Sequence, residues 1–451
     1  MNVKCAEILV KNAGHRSFSS LEVEQVLRER GSLMMKLTKI EKSWALYDWA
    51  NSAYSMTITS TIMPLYFKMV FENVGSATTS TAYWGYANSI ATLFLAMLAP
   101  VLGTIADYMG LKKRFFVTFV LIGIAATVFL SLIPESYWWG LLVVYILTAI
   151  GFSGANVFYD AFLVDITPAE RMDRVSTTGF AMGYIGSTIP FILCMAVVVG
   201  SQMGWLPLSI GAAFRISFII TALWWGLFTI PLIKNVHQVH GIPIESKPVS
   251  RSFKRIAKTF SNIKSHKNLF TFLIAYFFYI DGVDTIIKMA TSYGSDLGID
   301  AMNLLVILLA TQFVAFPFAL LYGKLAERFG CKKMLFVGII TYTVICIYAY
   351  FLDSVLDFWI LAMLVGTSQG GIQALSRSYF GKLVPKEQAN EFFGFYNIFG
   401  KFAAIMGPFL VGFVTQMTGR TNNGVFSIIL LFIIGGILLT RVQDIDVAKA
   451  A

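Results

Sequence analysis

The chain has 451 residues, of which 57% are hydrophobic and only 13% charged, roughly half the ~25% usual in soluble domains. That balance excludes a disordered chain and argues against a soluble enzyme, because no globular core of this length has so little charge to cover it. Lys and Arg outnumber Asp and Glu by 35 to 25, a formal net charge of +10.

Residues 1–33 are polar and of mixed charge. They hold no apolar stretch of the length a secretory signal needs, and Met34-Met35 offers an alternative start just before the recognisable pattern. Apolar runs then predict spans near 44–70, 83–105, 115–133, 138–165, 175–200 and 213–233. After a polar stretch come 268–290, 302–322, 334–352, 357–383, 391–416 and 423–441. The expected organisation is a tail over 1–40, a six-helix bundle over 41–234, a basic linker over 235–267, a second six-helix bundle over 268–442 and a tail over 443–451. The fold class is all-α: a polytopic membrane protein of twelve transmembrane helices in two pseudo-symmetric halves.

The tails and the loops after even-numbered spans hold roughly 29 of the 35 Lys and Arg, which by the positive-inside rule puts both termini in the cytoplasm. The linker carries Lys247, Arg251, Lys254, Arg255, Lys258, Lys264 and Lys267. It reads as a solvated connection that sets topology, with an amphipathic helix on anionic headgroups as the alternative. No basic run is interleaved with aromatics, so nucleic acid is not an expected partner.

A loop repeats. Gly103-Thr-Ile-Ala-Asp107-Tyr-Met-Gly110-Leu-Lys112-Lys113 follows span 2, and Gly323-Lys-Leu-Ala-Glu327-Arg-Phe-Gly330-Cys-Lys332-Lys333 follows span 8. Duplicated membrane halves mark secondary transporters, whose substrate site lies between the halves near the midplane. The glycines allow a tight turn and close helix approach, the acid can cap or pair with a neighbouring helix end, and the lysines hold the loop on one side.

Twelve spans with this loop twice resemble the major facilitator superfamily. Trp44-Ala-Leu-Tyr-Asp48-Trp-Ala-Asn51-Ser-Ala-Tyr54 in span 1 and Tyr279-Ile-Asp281-Gly-Val-Asp284 in span 7 resemble the vacuole-effluxer-like family, the autophagy-related effluxers and their bacterial relatives. So does the run from Gln369-Gly-Gly-Ile-Gln373-Ala-Leu-Ser-Arg377 to Phe392-Phe-Gly-Phe-Tyr396-Asn-Ile-Phe-Gly400-Lys401. The resemblance covers about residues 41–442 and implies a major facilitator fold, amino-acid export and a gating role for Asp107 and Glu327. Two positions depart from the family pattern: Asp160 stands where Asn is expected and Asp284 where Gln is expected. Both add acid and leave the sign of the substrate's charge open.

Ionisable residues in a membrane are costly and usually functional. In span 7, Asp281, Asp284 and Lys288 share one helix face. Asp284 can pair with Lys288, which leaves Asp281 as a proton site or as the partner of Lys401. In span 4, Asn156, Tyr159 and Asp160 form a polar stripe, and in span 10 Gln369, Gln373 and Arg377 form another. The half-to-half offset sets Asn156 opposite Gln373 and Asp160 opposite Arg377. Asp48, Asp160 and Arg377 lie toward the cytoplasmic ends of their spans and form an expected charge gate. Substrate contacts are expected from Asn51, Asn156, Tyr159, Asp281, Asp284, Gln369, Gln373 and Lys401.

Other chemistry lacks its motif. There is no G-x-x-x-x-G-K-[ST], no H-E-x-x-H and no G-x-S-x-G. Cys5, Cys194, Cys331 and Cys346 form no CxxC pair, and the four histidines lie in tail or loops. No cofactor, no metal and no enzymatic activity are expected. The expected partners are a small-molecule substrate, the bilayer and a coupling proton, for a monomer in a bacterial plasma membrane. Alternatives are export of cationic or drug-like compounds and, in another class, a non-transporting sensor or scaffold.

Overall fold

Backbone polar groups in lipid find no water, so the apolar runs must close their hydrogen bonds locally as helices. The computed structural model describes residues 36–72, 74–75, 77–243, 254–255, 266–296, 298–299 and 301–443. The N-terminal tail with Cys5, and most of the linker's basic residues, lie outside the described residues.

Helix α1 runs through three consecutive segments, Lys39–Ala53, a π-helical Tyr54–Ile62, and Met63–Phe71. The first half continues with α2 (Ala77–Ala106), α3 (Leu111–Leu130), α4 (Trp138–Ala161), α5 (Met172–Gln202) and α6 (Ile210–Asn235). The second half holds α7 (Lys267–Asp296), α8 (Ala301–Phe329), α9 (Cys331–Tyr350) and α10 (Val355–Leu383). It ends with α11 (Ala389–Thr418) and α12 (Thr421–Ser427 and Ile429–Thr440). Among the described residues, eleven helices are long and apolar enough to cross a membrane. Helix α1, divided by its π segment, makes the twelfth. Large apolar side chains such as Leu223 and Phe409 stand exposed on the outer faces of their helices, as lipid contact requires.

The halves meet where α2 packs on α11 and α5 packs on α8. The duplicated loops lie at the same end of these contacts, together with the described chain ends; we refer to it as the basic end. The leading glycine of each loop motif makes the approach possible. A Cβ on Gly103 would strike the Asn390 carbonyl at the start of α11, and one on Gly323 would strike the Thr177 hydroxyl in α5. Gly110 (φ +81) and Gly330 (φ +97) close the two turns in a backbone region that favours glycine.

The solvated-linker reading does not hold for the described part of the linker, which is stapled to the first of these loops. Ile242 exchanges backbone hydrogen bonds with Asp107 and Met109 at 2.9 and 3.0 Å. The Gln238 amide oxygen accepts from the backbone N–H of Gly110 (2.9 Å) and of Lys112 (3.2 Å). Asp165 accepts from the backbone of Val239 and His240 and binds the buried Lys112 ammonium at 2.6 Å. His240 places Nδ1 3.1 Å from the same carboxylate.

Candidate functional site

Between the halves lies a cavity of about 740 Å³. Its wall is unusually polar for the middle of a bilayer. Helix α1 contributes Asn51, Ser52, Ser55, Thr59 and Ser60, and α4 contributes Asn156. The second half adds Lys288, Gln312, Gln369, Gln373 and Asn397. The π segment explains part of the α1 wall. Its wider turn leaves carbonyls without i+4 partners, and the Ser60 and Thr61 hydroxyls donate to the carbonyls of Ser55 and Met56, five residues back. Asn51 Nδ2 donates to Asn156 Oδ1 at 2.8 Å and ties α1 to α4.

Arg377 closes the cavity toward the basic end. Its Nη2 donates to Asp48 Oδ2 at 3.0 Å and its Nη1 to Asp160 Oδ1 at 3.2 Å. Its Nε donates to the Ser176 hydroxyl at 2.9 Å. All three acceptors belong to the first half and Arg377 to the second. Asn397 of α11 donates to the other oxygen of Asp160 at 3.3 Å. The guanidinium is nearly buried (4% exposed) and packs against Trp44, Tyr159 and Phe180 at 4.5–5.4 Å. The sequence places Tyr159 among substrate contacts. It does border the cavity, but its ring stacks on Trp44 at 4.5 Å and packs against Arg377.

Two further layers lie beyond Arg377. In the first, the Ser378 hydroxyl and the Lys382 ammonium donate to the two oxygens of Asp173, at 2.7 and 2.6 Å. In the outermost, Asp107 Oδ1 accepts from the backbone and side-chain amides of Asn390, both at 2.9 Å, and so caps α11 from the opposite half. Its other oxygen accepts from Arg255 at 3.0 Å, and the same nitrogen of Arg255 donates to Glu391 at 3.1 Å. Arg255 thus joins one half to the other from the linker. Burial pushes the Asp107 carboxyl up to about 7, against the opposing pull of Arg255, Asn390 and Lys112. The second copy of the loop is weaker: Glu327 is partly exposed and lies 3.8 Å from Arg174.

Three of the expected substrate contacts sit elsewhere. Asp281 is fully buried. Its Oδ1 accepts from the Gly407 backbone at 2.9 Å and from Thr285 at 3.3 Å, and its Oδ2 has no partner. It faces α11, not the cavity, and no cation lies within 4.0 Å among the described residues. Lys401 donates to Ser153 at 2.9 Å, so it crosses between the halves and does not meet Asp281. Asp284 and Lys401 are not among the cavity-lining residues, and Asp284 makes no ion pair with Lys288 among the described residues. Lys288 itself reaches the cavity. Sequence reasoning missed Ser176 and Asn397, which join the Arg377 cluster, and Asp173, which holds Ser378 and Lys382 in the next layer. Asp173 and Ser176 are three apart at the start of α5, a face that could have been read. Arg255 carried no signal beyond being one base among many.

The family described as vacuole effluxer Atg22-like matches residues 74–450. The MFS-type transporter YxiO of Bacillus subtilis (strain 168) is 60% identical over 413 residues, which cover 91% of this chain and 96% of YxiO. Autophagy-related protein 22-2 of Aspergillus clavatus is 22% identical over 528 residues, covering 92% of this chain and 84% of that protein. Among solved structures, the E. coli fucose:proton symporter FucP superposes with a TM-score of 0.68 at 15% identity, covering 90% of this chain and 98% of FucP. The proton:xylose symporter XylE superposes with the same TM-score at 11% identity, covering 90% and 95%. At those identities the two structures speak for the fold alone. With its twelve helices, its two halves and its matched length, the chain is a multi-pass membrane transporter of the major facilitator type and belongs to the vacuole effluxer Atg22-like family.

Proposed function

We propose that the protein is a secondary transporter that works by alternating access and exports amino acids or similar small zwitterions. The observation that carries this reading is the polar cavity lined by both halves and sealed at one end by ion pairs that cross between them. Such pairs exist only while that end is closed, so they set an equilibrium between two states. The excess of Lys and Arg at the basic end makes it cytoplasmic, with both tails inside, and the bacterial relative argues for a plasma membrane. One chain holds the whole path, so a monomer suffices.

Two carboxylates, Asp48 and Asp160, share one guanidinium at the cavity floor. That leaves the floor one negative charge in excess, to which a substrate ammonium is drawn. Beside the cavity, and sharing Gln312 and Gln369 with it, lies an apolar pocket of about 100 Å³ walled by residues such as Leu304, Ile307 and Phe358. It suits an aliphatic side chain. The competing reading, a cationic or drug-like substrate, rested on the added acids Asp160 and Asp284. Asp284 stays off the cavity wall, and Asp160 lines it but is ion-paired with Arg377, which leaves that reading weaker support.

Asp281 is the proton carrier in this reading, because it can gain or lose a proton without breaking an ion pair. The test is exchange of a labelled amino-acid mixture in liposomes under an imposed pH gradient. Wild-type flux should collapse when the gradient is dissipated, and Asp281→Asn should abolish coupled flux while the protein still inserts. Normal gradient-driven flux in that variant would sink the coupling assignment. No flux in verified wild-type vesicles would sink the amino-acid reading.

A further inference from the structure

An ammonium without an ion-pair partner inside a membrane protein demands a reason. Lys288 is such a group: Asp281 and Asp284 on the same helix act on it only at longer range. It lies in α7, one turn beyond Asp284, and its side chain is exposed within the span and lines the central cavity. Among the described residues no carboxylate lies within 4.0 Å of it and no hydrogen bond engages it. Across the cavity wall stands a second unmet donor. Gln369 of α10 is 5% exposed, and its Nε2 has no hydrogen-bond partner. A buried amide donor without a partner is costly, and with the unpaired Lys288 ammonium exposed to the same cavity the two call for a shared acceptor. Gln312 lines the same wall and, with Gln369, stands at the mouth of the apolar side pocket.

We infer that Lys288, with the Gln369 amide, forms an anion subsite that takes the carboxylate of the transported molecule. A carboxylate offers two oxygens and about four lone pairs, enough for an ammonium and an amide together. Lys401, the sequence candidate for this role, is spent on Ser153. The assignment rests on the zwitterion reading above and sharpens it. The ammonium end of the substrate is drawn to the Asp48–Asp160 floor, the carboxylate to Lys288 and the side chain to the apolar pocket.

The test is equilibrium binding to the purified full chain in nanodiscs, with three matched probe mixtures. These are L-amino acids, their amides (carboxylate removed, ammonium and side chain kept) and their deaminated acids (ammonium removed, carboxylate kept). Wild type should prefer the amino acids over the amides by about tenfold or more, the scale of one charge-assisted hydrogen bond. Lys288→Gln should lose that preference and weaken binding of both acid-bearing mixtures while leaving the amides unchanged. Lys288→Arg should retain the preference, which keeps the test open should the glutamine variant fail to fold. Equal wild-type binding of acids and amides, or unchanged acid binding in Lys288→Gln, would overturn the subsite. If wild type binds the deaminated acids in a Lys288-dependent way and rejects the amino acids, the subsite stands and the amino-acid reading falls.

Discussion

Arg255→Gln should loosen the basic end of the bundle without touching the cavity. Arg255 reaches from the linker to a carboxylate on each half, Asp107 and Glu391, both fully buried, and also donates to the Thr104 carbonyl at 3.1 Å. Removing one partner of a buried ion pair costs about 3–5 kcal/mol, because the other charge stays buried. Arg255 is 20% exposed, so water screens part of that, and about 2–3 kcal/mol is the better figure. On the proposed alternating-access reading the contact exists only with the basic end closed, so the loss falls on the closed state, and the open-to-closed ratio should rise about 30- to 150-fold. Spin labels at the exposed positions Arg114 and Glu387 report this as a longer distance population across the halves. Adding Asp107→Asn should return part of the closed population, since the neutral amide keeps an oxygen for the Asn390 donors and removes a buried charge. Unaltered distances in Arg255→Gln would refute the latch and return the linker to a passive connection.

Arg377→Gln strips the inner gate of its only guanidinium and should cost the closed state about 3–5 kcal/mol; substrate exchange then runs down, and Asp48→Asn in the same chain should recover part of it, read as labelled exchange in liposomes. Gly103→Ala should shift the balance the same way by about 1–3 kcal/mol, because its Cβ meets the Asn390 backbone. Gly323→Ala should cost less, since it meets the Thr177 side chain, and cysteine accessibility at the basic end ranks the two. Asp107 gives a pH dependence. Its carboxyl is raised to about 7 when the end is closed and returns toward about 3.9 when opening exposes it. The closed state therefore holds the extra proton, is favoured at acid pH, and loses that advantage as pH rises from about 4 to about 7. The same spin-label distances measured against pH should show this slope, and Asp107→Asn should flatten it.

The architecture was legible because its signals are local. An apolar run of about 20 residues must become a helix in lipid wherever it lies, and the duplicated loop shows itself by spacing alone. The contact between Asp160 and Arg377 was legible for a subtler reason. Asp160 and Arg377 are 217 residues apart and meet at 3.2 Å, because an internal repeat turns equivalent positions into facing positions. Where that symmetry breaks, reading from sequence stops. Glu327 carries one more methylene than Asp107 and ends partly exposed beside Arg174 instead of capping a helix. Span 7 shows the second limit. Spacing puts Asp281, Asp284 and Lys288 on one face of α7, but a helix face is wide enough to serve two environments. Asp281 falls against Gly407 of α11, while Lys288, two turns on, falls in the cavity. The third limit is the linker, whose bases look alike until the fold selects Arg255.

Charge counting misleads in such a protein unless each acid is assigned its partner. Two acids beyond the family pattern suggested a cationic cargo. One of them, Asp160, instead belongs to a triad in which a single guanidinium holds two carboxylates at 3.0 and 3.2 Å. That stoichiometry matters on the proposed reading. Neither carboxylate is fully neutralised, so an ammonium arriving from the cavity competes with Arg377 on favourable terms. A buried carboxylate handed from guanidinium to substrate is never left unpaired, which removes most of the about 3–5 kcal/mol that opening would otherwise cost. In export the exchange runs in reverse: as the inner end closes, Arg377 displaces the substrate ammonium from Asp48 and Asp160 and frees the substrate to leave. A ligand lacking the ammonium makes no such exchange, so closure and release are coupled only for a substrate that stands in for Arg377.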